Sequence, residues 1–310
     1  MTAPAIELRG LTKRFGDTLA LDHVDLVVPS GVVFGFLGRN GAGKTTTLRI
    51  LSGLARPTDG TAHVLGIDVA RASDAVRAQI GFLPDVPGFY PWMTAREYLA
   101  LAGRLFGLAP ATLDARAEAL LEMAGLASVT TRVGGFSRGM KQRLGIAQAL
   151  INAPSLLMLD EPTSALDPIG RREVLEMVAS LRGRTTVFFS THILTDIERV
   201  CDAVAILEGG RIVTSASIAE LTARATANRL VVELEGAAAV AQLITGRAWL
   251  KTLETAEHTL RLTVTDLQAA QREIPAAIAA AGAALRRFEV EESSLEDVFV
   301  NLVGSGGWAR

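Results

Sequence analysis

Residues 38–46 read GRNGAGKTT, and no other stretch restricts the fold of this chain as tightly. The spacing G-x-x-x-x-G-K-T sets glycines where a backbone must curl, then a lysine and a hydroxyl at a helix start. Gly38, Gly41 and Gly43 let successive N–H groups turn inward on an anion. Lys44 adds a mobile positive charge for phosphate oxygens, and the Thr45 hydroxyl can ligate Mg²⁺. The apolar run GVVFGFLG before the loop reads as a strand, and TTTLRILSGL after it as a helix. A casual glycine-rich turn needs neither the Lys-Thr pair nor that context. The motif therefore predicts an α/β sheet with a phosphate site at its strand ends.

The rest of the chain agrees with a sheet built in pieces. IELRGLTKRF and LDHVDLVVP read as strands ahead of the loop. From about residue 71 to 149 the texture becomes helical, with apolar residues at i, i+3, i+4 in TAREYLALAGRLFGL and LDARAEALLEMAGL and only the short apolar stretch QIGFLP at its start. Strand texture returns in SLLMLDEP and TTVFFSTH, separated by the helix PIGRREVLEMVASLRG. Residues 215–228 loosen into a boundary. Beyond it the order is β-α-β-β-α-β, that of a ferredoxin-like unit, followed by a helical segment SLEDVFVNLV with Leu295, Val298, Phe299 and Leu302 on one face.

Composition narrows the function. Net charge is −2, with four lysines against twenty-seven arginines, so no bulk basic field points to nucleic acid. Cys201 is the lone cysteine, which excludes an internal disulfide and a multi-cysteine metal site. No secretory signal and no apolar run near the ~18 residues of a membrane span are visible, so a soluble, cytosolic chain is expected.

Two acids close the strand SLLMLDE. Its apolar run from Leu156 to Leu159 predicts burial on both faces, so Asp160 emerges at the carboxyl end, where it can hold Mg²⁺ water beside a triphosphate. Glu161 points differently and suits a base that orients or deprotonates water. His192 ends the next strand at the same edge, placed for a γ-phosphate contact. A second anion grip follows from GGFSRGMKQR at 134–143, where a serine precedes a helix start. Alone, that segment would be an ordinary Ser-capped helix.

Taken together, GRNGAGKTT, GGFSRGMKQR, LLMLDEP, SALD at 164–167 and STH at 190–192 make residues 5–220 resemble an ATP-binding-cassette (ABC) transporter ATPase subunit. The fold the resemblance implies is α/β: a P-loop NTPase core with a helical insertion at about 81–153 within a domain of residues 1–222, and a small α+β ferredoxin-like domain over 223–310. It implies that ATP is held by the run Gly38, Arg39, Asn40, Gly41, Ala42, Gly43, Lys44, Thr45 and Thr46, with the aromatic Phe15 stacked on adenine. Mg²⁺ would lie among Thr45, Asp160 and Asp85, and Glu161 and His192 would be catalytic. In that family two subunits stack head to tail, so Ser137, Arg138, Gly139 and Met140 would grip the ATP of a second copy. Ser164, Ala165, Leu166 and Asp167 would cross between the two sites; by itself this turn reads as a helix start with Asp167 as N-cap and Pro168 at N1.

Some positions depart from the family pattern. Arg138 stands where glycine is usual and Met140 where glutamine is common, a form that resembles the subfamily with export-type permeases. Asp85 stands where the family presents glutamine, and an ionised carboxylate accepts hydrogen bonds but cannot donate them. The aromatic cluster Phe89, Tyr90 and Trp92 falls where the family docks a permease's coupling helix. The C-terminal stretch SSLEDVFVNLVG resembles the extension of drug- and antibiotic-export ATPases. The function expected is the ATP-hydrolysing subunit of an exporter, dimerising around two ATP molecules on the cytoplasmic face of the membrane and driving a separate ABC-2-type permease. The competing class is a soluble ABC ATPase that remodels nucleic acid or ribosomes; its usual second cassette, long coiled-coil insertion or basic arm is not seen in the sequence. A GTPase would need a guanine-reading Asn-Lys-x-Asp, which does not follow at the right place.

Overall fold

The structure is a computed structural model that describes residues 3–225 and 229–291. Strands β1 (Ile6–Phe15) and β2 (Thr18–Val28) form a hairpin, and β3 (Val33–Gly38) leads through the glycine loop into helix α1 (Lys44–Leu51). Next come β4 (Asp59–Val64), β5 (Ile67–Asp68), the short α2 (Ser73–Arg77) and β6 (Ile80–Leu83). Helices α3 (Ala95–Leu105), α4 (Pro110–Met123) and α5 (Arg138–Ala149) follow. The chain then alternates β7 (Leu156–Asp160), α6 (Pro168–Ala179), β8 (Thr186–Thr191) and α7 (Leu194–Val200) before β9 (Ala203–Glu208) and β10 (Arg211–Ser217). Helix α8 (Ile218–Ala225) precedes β11 (Arg229–Leu234), α9 (Ala237–Ile244), β12 (Leu250–Thr255), β13 (Thr259–Val264), α10 (Leu267–Ala280) and β14 (Leu285–Glu291).

The sheet that positions the site has the order β10-β9-β3-β8-β7-β6, parallel except at β10. Every residue of β3, β7 and β8 is buried. Apolar runs without alternation fit strands covered on both faces, and Phe34, Phe36, Met158 and Phe188 fill the layer beneath them. Because the strands run parallel, the glycine loop, Asp160 and the end of β8 leave the sheet at one edge. A separate antiparallel sheet, β2-β1-β4-β5, shares this core.

The helical insertion expected over about 81–153 needs a correction at its start. Residues 80–83 form β6 and pair in parallel with β7, so they belong to the sheet, and the helices begin beyond them. An apolar run this short reads equally well as an edge strand or a buried helix turn. Helix α3 starts at a capping box, in which Thr94 accepts from the Glu97 N–H and Glu97 accepts from the Thr94 N–H.

The chain divides into two compact units, Met1–Ile218 and Ala219–Arg310. In the second, an antiparallel sheet of order β12-β13-β11-β14 gives the ferredoxin-like topology. Leu230, Val232 and Leu234 alternate onto the face covered by Val240 and Ile244 of α9 and Ile274 and Ile278 of α10. The stripe of Leu295, Val298, Phe299 and Leu302 lies outside the described residues.

Candidate active site

The loop between β3 and α1 is shaped for close approach. Gly43 caps α1 at φ 112°, and a Cβ there would lie 2.7 Å from both the Ala20 carbonyl oxygen and Leu21 Cδ2. Only glycine fits such a corner. No side chain caps α1. Its first-turn amides, which have no acceptor within the helix, are therefore left for an incoming anion, and the helix dipole adds positive potential. The cleft of about 220 Å³ beside them is lined by Ala20, Asn40, Gly41, Gly43, Lys44, Thr45 and Thr46, with Asp85 and Glu161 opposite in charge. Gly38, Arg39 and Ala42 complete the loop. Lys44 is buried and folded back on it: Nζ donates to the Gly38 carbonyl at 2.7 Å and the Arg39 carbonyl at 3.2 Å.

Of the two acids at the end of β7, Glu161 meets the lysine. Glu161 Oε1 lies 3.0 Å from Lys44 Nζ, and Glu161 Oε2 lies 2.9 Å from His192 Nδ1, with the carboxylate almost fully enclosed. Glu161 has φ 49°, a left-handed conformation that is uncommon for a residue with a Cβ. Its N–H reaches both the Ser190 carbonyl and Ser190 Oγ at 3.1 Å. Asp160 is buried, and Ser190 Oγ donates to its Oδ1 at 2.6 Å. Burial pushes the Asp160 carboxyl above its ordinary value; bonds to Ser190 and Thr45 oppose this, and the negative charges of Asp85 and Glu161 reinforce it. A buried carboxylate, a hydroxyl and a nearby second carboxylate are hard oxygen donors, so Asp160, Thr45 and Asp85 fit Mg²⁺, whose charge would relieve the crowding of acids.

Other candidates stand outside this cleft. Phe15 is 54% exposed at the tip of the β1–β2 hairpin, with the Lys13 ammonium 4.8 Å from its ring centre; Ala20 of the same hairpin lines the cleft. Ser137 is exposed and caps α5, its Oγ accepting the Met140 N–H at 3.2 Å. Arg138, Gly139 and Met140 form the first turn of that helix. Gly139 faces Gly170 so closely that a Cβ on it would meet Gly170 Cα at 3.6 Å, which sets the starts of α5 and α6 side by side. Asp167 caps α6 through the Gly170 N–H at 2.9 Å, and the turn before it bonds back from the Ser164 N–H to the Glu161 carbonyl at 3.1 Å.

The structure adds groups the sequence reading passed over. In the sequence Ser190 stands out only as a member of the strand-end motif STH, with no role of its own. Asp196, wholly buried at the start of α7, accepts from the Thr163 hydroxyl at 2.5 Å and from Arg171 Nε at 2.6 Å, tying the turn after Glu161 to α6 and α7. Its signal was an acid inside an apolar helix pattern. On the helical insertion, Phe89, Tyr90, Tyr98, Leu101, Leu105 and Gln148 line a groove of about 560 Å³, and Trp92, 59% exposed, packs on Tyr90 with ring centres 5.2 Å apart.

Comparison with known proteins gives a consistent picture. A family model described as ABC transporter matches residues 21–164, and one described as the DrrA1-3-like ATP-binding protein C-terminal domain matches residues 217–303. The bacitracin transport ATP-binding protein BcrA of Bacillus licheniformis is 37% identical, over 97% of this chain and 98% of its own length. The daunorubicin resistance ATP-binding protein DrrA3 of Streptomyces coeruleorubidus is 40% identical, over 98% of this chain and 97% of its own. Among solved structures, the ATP-binding subunit of an ABC transporter superposes with a TM-score of 0.64 at 31% identity, covering 71% of this chain and 92% of that one. A dimeric ATP-binding cassette bound to ADP and inorganic phosphate gives 0.62 at 26% identity, covering 69% and 98%.

Proposed function

The chain belongs to the ABC transporter family, and from that membership we propose that it is the ATP-hydrolysing subunit of an ABC-2-type exporter. No helix among the described residues is long and apolar enough to cross a membrane. The relatives are named as ATP-binding proteins of transport and resistance systems, which supports a separate permease as the transport path, with this subunit on the cytoplasmic face. In this reading residues 1–222 are the nucleotide-binding domain and 223–310 an accessory domain. The relatives are named for bacitracin transport and daunorubicin resistance, which supports export of drug-like cargo selected by the permease.

The chemistry follows from the cleft. ATP enters with its phosphates on the α1 amides and its adenine against Phe15. Lys44 exchanges the Gly38 and Arg39 carbonyls and the Glu161 carboxylate for the β- and γ-phosphates. Thr45, Asp160 and Asp85 would hold Mg²⁺, which when bound neutralises phosphate charge and stabilises the transferring group. Glu161, released from Lys44, orients water and takes its proton, while His192 holds the carboxylate and faces the γ-phosphate. The water oxygen bonds to the γ-phosphorus as the bond to the β–γ bridging oxygen breaks, and ADP leaves with that oxygen.

A second copy completes the site. Ser137 and the amide of Gly139 grip the γ-phosphate bound by the other subunit, and Ser164 and Asp167 cross between the sites. The aromatic groove of Tyr90, Trp92 and Tyr98 receives the permease. The observation that carries this reading is the meeting of Lys44, Asp160, Glu161 and His192 at one sheet edge, with the Ser137 cap exposed outside that cleft. Ser137→Arg tests it: the monomer should bind ATP as wild type does, and ATP-dependent dimerisation in size-exclusion chromatography should be lost. Loss of ATP binding by the isolated Ser137→Arg monomer would mean that the serine acts within its own chain.

A further inference from the structure

Ser190 lies on β8 beside both acids, yet belongs neither to the phosphate loop nor to the Glu161–His192 pair. It is wholly buried and sits opposite Asp160 in the parallel register of β7 and β8. Its hydroxyl donates to Asp160 Oδ1 at 2.6 Å, and the same oxygen accepts the Glu161 N–H at 3.1 Å. A serine hydroxyl has one proton to give and lone pairs to receive, so it serves both residues at once.

Glu161 requires such a hold. Its left-handed backbone is disfavoured for a residue with a Cβ, which crowds the following carbonyl oxygen. The Glu161 N–H is shared between the carbonyl and the hydroxyl of Ser190, which fixes the turn from the backbone side. That turn lets adjacent carboxylates do separate work. Asp160 stays against β8, while Glu161 swings to Lys44 and His192.

We propose that Ser190 is a positioning residue for hydrolysis: its single hydroxyl fixes the orientation of Asp160 and Glu161 relative to each other, and so the point from which the attacking water is aligned and deprotonated. This rests on the assignment of Glu161 as the proton acceptor. Alanine at 190 would leave Asp160 without that donor and Glu161 with only the carbonyl. The turn would then relax, and a shift of about 1 Å in a reacting group is worth about a hundredfold in rate.

The test uses full-length Ser190→Ala, Ser190→Thr and Ser190→Val beside Glu161→Gln. Threonine and valine share a shape and differ in the hydroxyl, so any strain of the added methyl is common to both. Steady-state ATPase kinetics, nucleotide affinity in EDTA and Tm are measured for each. The expected result is a kcat lowered about a hundredfold in Ser190→Ala and Ser190→Val, with Kd for nucleotide within about threefold of wild type and the hydroxyl of Ser190→Thr restoring at least about tenfold over Ser190→Val. A normal kcat in Ser190→Ala overturns the proposal. So does equal loss in the threonine and valine variants, or a loss of nucleotide affinity as large as the loss of kcat, since each describes a residue needed for packing alone. If Glu161→Gln itself hydrolyses ATP normally, the assignment of the base fails instead, and that outcome is read independently of Ser190.

Discussion

Replacing Glu161 with Gln should weaken the empty protein and tighten its grip on nucleotide at the same time. In the free subunit Glu161 Oε1 lies 3.0 Å from Lys44 Nζ, with side chains only 11% and 6% exposed. At an effective dielectric constant of about 20 the gross attraction over that distance is about 5 kcal/mol. Dehydration of both charges offsets much of it, and Lys44 keeps its bonds to the Gly38 and Arg39 carbonyls, so the net loss falls to about 2 kcal/mol, below the usual figure for breaking a buried pair. Glutamine tolerates the left-handed backbone no better than glutamate, so that strain cancels. A domain of this size should lose about 4–8 °C in Tm. Once nucleotide has taken Lys44 away, the pair no longer exists and its loss costs nothing. Affinity should therefore rise about thirtyfold for the same 2 kcal/mol. ADP is the right probe, because it has no γ-phosphate to repel Glu161. Calorimetric titration with ADP and a nucleotide-free melting curve give both quantities. If neither Tm nor ADP affinity changes in Glu161→Gln, the Lys44–Glu161 contact carries no energy and the reasoning fails.

Lys44→Ala should abolish ATP turnover in purified protein; near-normal hydrolysis would remove the phosphate loop from the mechanism. Asp160→Asn should raise the Tm of the nucleotide-free protein at neutral pH, because burial disfavours the charged carboxylate. The folded chain holds the Asp160 proton more tightly than the unfolded one, so this group's contribution to stability falls as pH rises from the ordinary value of 3.8 through the raised folded value. The advantage of asparagine should accordingly shrink as melting curves are taken at lower pH; a gap that widens on acidification would contradict the sign. Trp92→Ala should cut capture of the permease about tenfold or more while leaving Tm unchanged, measured by co-purification from membranes, and undiminished capture would move the docking surface elsewhere.

The central sheet and its loop were legible because their signals are local. GVVFGFLG, the glycine loop and TTTLRILSGL are consecutive, and the unbroken apolar run of β7 tells of burial on both faces. The β-α-β-β-α-β order of the second unit came from alternation such as that of Leu230, Val232 and Leu234. What sequence could not supply was register. Ser190 meets Asp160 only because β7 and β8 pair in that frame, and no spacing along the chain encodes the pairing of residues thirty positions apart. The β9–β10 hairpin escaped for a different reason. Leu207 and its neighbours in β9 are buried, but β10 mixes exposed and half-buried residues in RIVTSAS, and its last three residues fall in the stretch 215–228 that reads as a boundary. Residues 80–83 read no differently from the helices they adjoin, because four residues are too few to show a period.

The cap at Ser137 has a consequence for the timing of assembly. Its oxygen is already engaged by the Met140 amide in a lone subunit, so the start of α5 is set before any other molecule arrives. The hydroxyl hydrogen is not used by that bond and can still be given away. In the proposed dimer nothing at this corner must fold on contact, and the entropy of ordering a loop is not charged to association. Two ATP-loaded copies would then meet as finished surfaces, with the frequency of their encounters, not a local folding step, setting how fast they close.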